Sequence, residues 1–183
     1  MKRVEQKGIC MKDVELKLIS ELMKNSRRSD RELAKAVGVS QPTVSRLIRK
    51  LEKNGYIQEY TMIPNMEKLG YQIMALIFVK HKELSSDDFL KARAVAQRDF
   101  KNAPTEVILF ERGIGEEHTG VIISFHKDYA SYTKLASRTR EYPFLEHAVT
   151  KSFLVNLNEQ IHYRPLTLKT LAENILSQKE NER

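Results

Sequence analysis

A group of side chains suited to contacting nucleic acid falls within residues 40–55, which read SQPTVSRLIRKLEKNG. At helical spacing the polar and cationic members share one side of the stretch, and they are Gln41, Thr43, Ser45, Arg46, Arg49 and Lys50. Amide, hydroxyl and guanidinium groups can hydrogen-bond to base edges, and cations contact phosphates. A solvated surface helix can carry the same groups, so the elements around this stretch have to decide between the two interpretations.

The stretch has the signals of a complete helix. Ser40 can cap it, because its side-chain oxygen can accept a free backbone N–H of the first turn, and Pro42 is tolerated that early. Gly55 suits the left-handed position that follows the last turn. Four apolar side chains at helical spacing are predicted to be buried, namely Val44, Leu47, Ile48 and Leu51.

The preceding residues make this helix the second half of a motif. Residues 29–32 (Ser-Asp-Arg-Glu) form a capping box that opens a short helix. Ala34, Gly38 and Val44 then follow the Ala-x3-Gly-x5-Val spacing that packs a helix-turn-helix unit. The second helix of such a unit enters the major groove of DNA, so we predict double-stranded DNA as the partner. The expected contacts are Arg46 and Arg49 to bases or phosphates, Gln41, Thr43 and Ser45 as shorter-range readers, and Lys50 and Arg28 to the backbone.

Composition agrees with a nucleic-acid partner. Residues 1–64 carry fourteen Lys and Arg against eight Asp and Glu, whereas the formal charge of all 183 residues is only +7. The positive field is therefore concentrated in the first third of the chain. A single cysteine, Cys10, allows no internal disulfide, which favours a reducing cytoplasm as the location. Without an apolar run of about 18 residues, we expect no membrane partner, and residues 1–12 lack the apolar core of a signal peptide.

The second half reads as alternating strands and helices in the order βαββαβ. Strands are predicted over residues 71–82, 106–112, 118–126 and, as a long fourth strand, 145–157, and helices over residues 87–101 and 128–142. Two helices cover one face of such a sheet and leave Met74, Leu76 and Phe78 exposed on the other. A second copy packed face to face would cover them, so we predict at least a homodimer, whose two recognition helices could address half-sites about 34 Å apart.

The first half also resembles a known family. LAKAVGVSQPTVSRLIRKLEKNGYIQEYTMIPNMEKLGY is similar to the amino-terminal half of the Lrp/AsnC (leucine-responsive, or feast/famine) regulators. The resemblance lies in the basic helix, the Leu-Glu-x-x-Gly-x-Ile sequence that closes it and the Lys-Leu-Gly-Tyr hinge. It implies an α+β fold, in which a winged helix-turn-helix domain precedes a ferredoxin-like (RAM-type) domain. In the family that second domain dimerises, can build rings of dimers and often binds an amino-acid effector.

These observations predict five segments. They are a flexible basic tail (1–12), a winged helix-turn-helix domain (13–63), a hinge (64–70), a ferredoxin-like domain (71–158) and a C-terminal extension (159–183). Asp13 is expected to cap the first helix, and residues 56–63 to form a strand pair or short wing. Thr167 is expected to cap a helix in the extension, whose apolar stripe of Leu168, Leu171, Ala172 and Ile175 would serve core or dimer packing or, alternatively, dock another protein.

The effector turn departs from the family pattern. Members of the family use a turn like Gly-Asp-Tyr-Asp between the second and third strands, whereas residues 112–120 here read RGIGEEHTG. The glycines remain and the aspartates do not, so an amino acid, a different effector or none are all compatible with this turn. The candidate effector residues are Gly113, Gly115, Glu117 and His118.

Two alternative functions compete with specific regulation. Some haem-pathway decarboxylases resemble this two-domain family, and Arg112, His118 and His126 could then bind the carboxylates of a tetrapyrrole. A DNA-architectural protein of low sequence specificity would share the fold and differ in salt dependence. The sequence shows no nucleophile–base pair and no phosphate loop, so we expect no enzyme and no cofactor. His81, His118 and His126 are expected at the surface near strand ends, without a metal.

Overall fold

The computed structural model describes residues 11–83, 85, 87–88, 90–92, 94–95, 104–146, 150–159 and 166–181, with only the backbone for 178–181. The chain forms two compact units. The first comprises Met1–Ile63 together with Arg164–Arg183, and the second comprises Pro64–Tyr163. No helix within the described ranges is both long and apolar enough to cross a membrane.

The first unit begins with three helices, α1 (Asp13–Lys24), α2 (Asp30–Val37) and α3 (Gln41–Lys53). The expected cap of α1 was one residue out, because Lys12 is the N-cap and its backbone N–H donates to the Glu15 carboxylate at 3.2 Å. Asp13 lies inside the first turn, where its negative charge interacts favourably with the positive end of the helix dipole.

The caps around the turn between α2 and α3 mostly follow the sequence. The capping box of α2 is confirmed, since Ser29 and Glu32 exchange hydrogen bonds between side chain and backbone. Gly38 has φ +80° and Gly55 has φ +73°, the left-handed conformations that glycine adopts without steric cost. Ser40 is the N-cap of α3, but its hydroxyl bonds to the Thr43 hydroxyl at 2.8 Å and caps no backbone N–H, contrary to expectation.

One apolar core joins the helices of the first unit. Its buried residues include Leu16, Leu18, Leu33, Val44 and Leu51, and Ile57 packs against them just after α3. The burial of Val44, Leu47 and Leu51, with Ile48 partly buried, confirms the predicted apolar stripe and turns the opposite side of α3 outward.

The strand pair expected at residues 56–63 is absent from the described chain. These residues have no paired strand, and Tyr56, Tyr60, Met62 and Ile63 are half or more exposed. Alternation and β-branched residues favour an extended backbone, but a ladder also needs a partner strand, and no described segment supplies one. The Tyr60 hydroxyl instead donates to Glu52 on α3 at 2.9 Å.

The second unit contains an antiparallel sheet of four strands, β1 (Ile73–Val79), β2 (Val107–Arg112), β3 (Gly120–His126) and β4 (Lys151–Asn156), in the spatial order β2-β3-β1-β4. The fourth strand is shorter than predicted, because Leu145 forms only an isolated bridge with His81 before β4 begins. A single turn of 3-10 helix, Glu67–Leu69, precedes the sheet.

Helix α4 (Tyr129–Arg140) packs on this sheet, and the Asp128 side chain caps it by accepting the Ser131 N–H at 2.7 Å. The described residues among 87–95 are also helical, and the remainder of the helix expected over 87–101 lies outside the described residues. The order of strands and helices confirms the α+β, ferredoxin-like arrangement.

The two faces of the sheet differ in burial. On β1, Ala75, Ile77 and Val79 are fully buried, whereas the alternate residues Met74, Leu76 and Phe78 are partly exposed. Phe153 of β4 pairs with Leu76 on that more open face and is 61% exposed. We call the face carrying Met74, Leu76, Phe78, Leu109, Ile123 and Phe153 the open face of the sheet.

The C-terminal helix α5 (Lys169–Asn181) belongs to the first unit. The Thr167 hydroxyl accepts the Lys169 N–H at 3.2 Å, close to the predicted cap. The expected apolar stripe was partly wrong, because Leu168 and Leu171 are each 49% exposed. The inward side is formed by Ala172, Ile175 and Leu176, a stripe rotated toward the C-terminus of the helix.

Candidate nucleic-acid interface

Helix α3 presents its polar side to solvent. Gln41, Arg46, Arg49 and Lys50 are exposed, and Thr43 and Ser45 are partly buried. The Arg46 side chain makes no hydrogen bond or ion pair with any residue that the structure describes, so its guanidinium can bond to a base edge or a phosphate. The Arg49 Nε donates to the Ser45 carbonyl one turn earlier, at 3.3 Å, which holds the side chain along the exposed face of the helix.

Ser45 connects the two helices of the motif. Its hydroxyl donates to the Asp30 carboxylate in the first turn of α2, and it also lies 3.3 Å from the Gln41 carbonyl. A hydroxyl engaged in this way orients α3 on α2. The structure therefore places Ser45 as a link within the motif, whereas Gln41, Arg46 and Arg49 face outward.

Lys50 and Arg28 both lie in ion pairs within the unit. The Lys50 ammonium is 2.5 Å from the carboxylate of Glu15, which is only 4% exposed, and the pair joins α3 to α1. The hydrogen bond from Lys50 holds the pKa of the Glu15 carboxyl below its usual range. Arg28 pairs with Glu21, which also pairs with Lys24 at 2.9 Å. Both cations expected at the DNA backbone thus also stabilise the helix packing.

Glu15→Gln is expected to lower the free energy of unfolding by about 1–2 kcal/mol at pH 7, because a hydrogen-bonded, largely buried carboxylate loses its charge while Lys50 stays half exposed. The folded-state pKa of Glu15 is lowered, so its contribution is present above the unfolded pKa and is lost as pH falls through the folded value. Chemical denaturation at pH 7 and pH 3 measures this. The exposed control Glu59→Gln should lose little free energy of unfolding at either pH. If Glu15→Gln lowers the free energy of unfolding equally at pH 7 and pH 3, the argument from the Glu15 charge is contradicted.

The turn between β2 and β3 forms an open depression of about 340 Å³. Three of the four predicted effector residues line it, namely Gly113, Gly115 and His118, together with Arg112 and Glu116. Glu117 does not, and its carboxylate lies 2.6 Å from the Lys151 ammonium. The turn is tight, because the Gly113 N–H donates to the Thr119 carbonyl at 2.9 Å and a β-carbon at Gly115 would lie 2.7 Å from the His118 carbonyl oxygen.

The three histidines of the sheet lie in different surroundings. The surface position expected for His126 was wrong: it is fully buried, it hydrogen-bonds the Ser124 hydroxyl at 2.8 Å, and its ring lies edge-on to Tyr132 of α4. His81 is partly buried and bonds the Thr119 hydroxyl at 2.9 Å, while His118 lies beside Phe78 of the open face. Within the described part of the chain, no three His, Cys, Asp or Glu residues are grouped as a metal site would require.

The stability of the protein is expected to fall as pH drops below about 6.5, the usual histidine value. Burial lowers the pKa of His126, and this effect outweighs the negative charges of Glu106 and Asp128, which raise it. The unfolded chain therefore takes up a proton before the folded one does, so stability is lost as pH falls from the unfolded toward the folded pKa. Thermal unfolding between pH 8 and pH 5 measures this for His126→Gln, in which the fall should be smaller. An unchanged slope in His126→Gln would show that other groups cause the fall.

The helix-turn-helix motif and the overall fold both match known proteins. A family model described as Winged helix-turn-helix DNA-binding matches residues 11–58. The AsnC family transcriptional regulator from Agrobacterium tumefaciens has a similar fold, with a TM-score of 0.65, 21% identity, and coverage of 88% of this chain and 99% of its own. A transcriptional regulator from Neisseria meningitidis, solved as a complex with L-Met, gives a TM-score of 0.66 with the same identity and coverage.

Curated relatives share sequence with parts of this chain. An HTH-type transcriptional regulator of Pyrococcus furiosus is 44% identical over 72 residues, 39% of this chain and 48% of the relative. The leucine-responsive regulatory protein of Rhizobium meliloti is 40% identical over 81 residues, 44% of this chain and 51% of the relative. The regulator FL11 of Pyrococcus furiosus is 27% identical over 139 residues, 63% of this chain and 91% of the relative. In sequence and in fold, the chain is similar to regulators of the Lrp/AsnC family. Apart from FL11, it spans about half the length of these relatives.

Two residues that orient α3 were not identified from the sequence. Glu15 is 35 residues from its partner Lys50, and Asp30 is 15 residues from Ser45. Asp30 was noted only as part of a capping box, and Glu15 follows the start of a helix, where acidic residues are common for a local reason. Only the packing of three helices brings these carboxylates to α3, so no local pattern could have marked them.

Proposed function

We propose that this protein is a sequence-specific DNA-binding transcriptional regulator of the Lrp/AsnC type, and that it binds duplex DNA through α3. The observation that carries the proposal is the exposed set of Gln41, Arg46 and Arg49 on a helix whose other side is buried in the unit core. An amide and two guanidinium groups on one exposed helix face match the donors and acceptors of the major groove. Because the proposed partner is chromosomal DNA, we also propose a cytoplasmic location.

A homodimer is the proposed active form. The open face of the sheet exposes neighbouring apolar side chains, among them Phe153 and the partly exposed Met74, Leu76 and Phe78. A second copy packed against this face would remove them from water, and two-fold symmetry would supply two α3 helices for a palindromic site. Rings of such dimers remain a proposal carried by the family alone.

A small zwitterionic effector is proposed at the depression beside the β2–β3 turn. Arg112 and His118 can bind a carboxylate there, and Glu111 and Glu116 can bind an ammonium group. These charges suit the amino-acid class, and the Neisseria relative is named as a complex with L-Met. Isothermal titration with the common amino acids tests this proposal, and no heat from any of them would reject it.

The enzymatic alternative gains no support from the side-chain arrangement. A tetrapyrrole site would need Arg112, His118 and His126 around one substrate. His126 is instead buried against Tyr132 of α4, whereas the His118 ring lies tilted beside Phe78 on the open face. A DNA-architectural protein of low specificity would present the same exposed cations. Comparing its affinity for cognate and shuffled duplexes distinguishes that function from specific regulation.

Salt-dependent titration tests the proposed function. We expect the full chain to bind a cognate duplex with a logarithmic salt slope that reports several phosphate contacts, and to bind shuffled duplexes about 1,000-fold or more weakly at about 0.15 M salt. Equal affinity for cognate and shuffled duplexes would favour the architectural function. No binding to either duplex would reject the proposal.

A further inference from the structure

The C-terminal helix α5 is bonded into the interior of the DNA-binding unit. The Ser20 hydroxyl of α1 donates to the Ala172 carbonyl of α5 at 2.9 Å, and both residues are fully buried. Ile175 and Leu176 pack against the same apolar core as the helix-turn-helix motif. Among the described residues the acceptor of this buried hydroxyl lies on α5, and the bond ties that helix to one specific position on α1.

Helix α1 connects α5 to the recognition helix. It bonds to α5 through Ser20, and it pairs with α3 through Glu15 and Lys50. Helix α1 thus carries one polar contact to α5 and another to α3. Neither contact uses the exposed residues Gln41, Arg46 and Arg49, so α5 can influence DNA binding without touching DNA.

The path of the chain gives α5 a second role. The chain leaves the first unit after Ile63, builds the whole second unit, and returns to the first unit for α5. The docked α5 therefore closes a loop, and the sheet unit is connected to the DNA-binding unit at both of its chain ends. Two connections allow fewer relative orientations than a single hinge does.

We propose that α5 is a positioning element that, by docking on α1, fixes the spacing at which two copies of α3 bind their half-sites. The inference rests on the proposed dimeric DNA binding. Restricting the orientation of each DNA-binding unit before DNA binds reduces the entropy lost on binding. This gain applies only to duplexes whose half-site spacing matches the restricted orientation. The expected consequence is a strong preference for one spacing.

A linker insertion separates positioning from simple structural support. About ten Gly and Ser residues inserted after Glu159 keep every described contact of α5 and lengthen only the returning connection. Titration against duplexes whose half-sites differ in spacing by single base pairs should show about a tenfold preference in the wild type and about two- to threefold in the insertion variant. Thermal unfolding and the affinity for one isolated half-site should be unchanged. A wild-type preference in the insertion variant would overturn the proposal.

A second variant removes α5 from α1. Ala172 is fully buried against Ser20, so Ala172→Glu cannot keep the helix docked, whereas the exposed neighbour Glu173→Ala serves as the matched control. Ala172→Glu should lose the spacing preference and also some affinity for a single half-site, and Glu173→Ala should lose neither. If the wild type binds DNA and the spacing preference survives either the insertion or the release of α5, only this inference fails. If the wild type binds no DNA, the proposed function fails first.

Discussion

Replacing Arg46 with alanine is expected to weaken binding to the preferred DNA site by about 10-fold to 100-fold, which corresponds to about 1–3 kcal/mol. Arg46 is exposed on α3 and forms no ion pair with a described residue, so its removal leaves the packing of the unit intact. The measurement is fluorescence anisotropy with a labelled duplex at about 0.15 M salt. Thermal unfolding of Arg46→Ala should match that of the wild type.

The control for this prediction is Lys17→Ala. Lys17 is an exposed cation on α1, so the variant loses the same charge from the same unit outside α3. A comparable loss of DNA affinity in both variants would show that binding depends only on the net charge of the unit. If Arg46→Ala weakens binding to cognate and shuffled duplexes equally, Arg46 contacts phosphate and does not read a base. An unchanged affinity would contradict the assignment of α3 as the recognition helix.

Phe153→Asp is expected to dissociate the proposed homodimer, raising its dissociation constant by about 100-fold or more. Phe153 is 61% exposed on the open face, in register with Leu76. A carboxylate at this position would be buried without a partner when a second copy packs on the face, and it remains hydrated in the monomer. Sedimentation velocity at micromolar concentration measures the change. The single chain should stay folded, because its own core lies on the opposite side of the sheet.

The control variant for the interface is Tyr129→Asp. Tyr129 is comparably exposed, but it opens α4 and so lies away from the open face of the sheet. An acidic residue in the first turn of a helix is compatible with the helix dipole, so this variant should remain dimeric. Dissociation by Tyr129→Asp, or a dimer that survives Phe153→Asp, would place the interface elsewhere.

The motif around α3 could be predicted because its signals are local. The capping box of Ser29 and Glu32, the turn at Gly38 and the apolar stripe of α3 each depend on residues a few positions apart, and the structure confirms them. The alternation of β1 also marked its buried face, since strand side chains alternate with a period of two. The same parity places His126 with Ile122 and Ser124, so its burial was available from the sequence once β3 was assigned.

Other features depend on contacts between distant segments. The bond from Ser20 to Ala172 joins residues 152 positions apart, and the apolar pattern of α5 permitted more than one buried side. For residues 56–63, the β-forming composition indicated an extended backbone but could not indicate whether a strand would be there to pair with it. Strand pairing and helix docking are properties of the assembled fold, and single-segment periodicity does not contain them.

Selection of bound duplexes from a random library tests the central claim most directly. The full chain is incubated with the library at about 0.15 M salt, where loose phosphate binding is screened, and the retained duplexes are sequenced. Specific recognition by α3 in a two-fold dimer predicts an enriched, roughly palindromic site with half-sites about one helical turn apart. Retained DNA without enrichment, or no retained DNA, would contradict sequence-specific recognition by this helix.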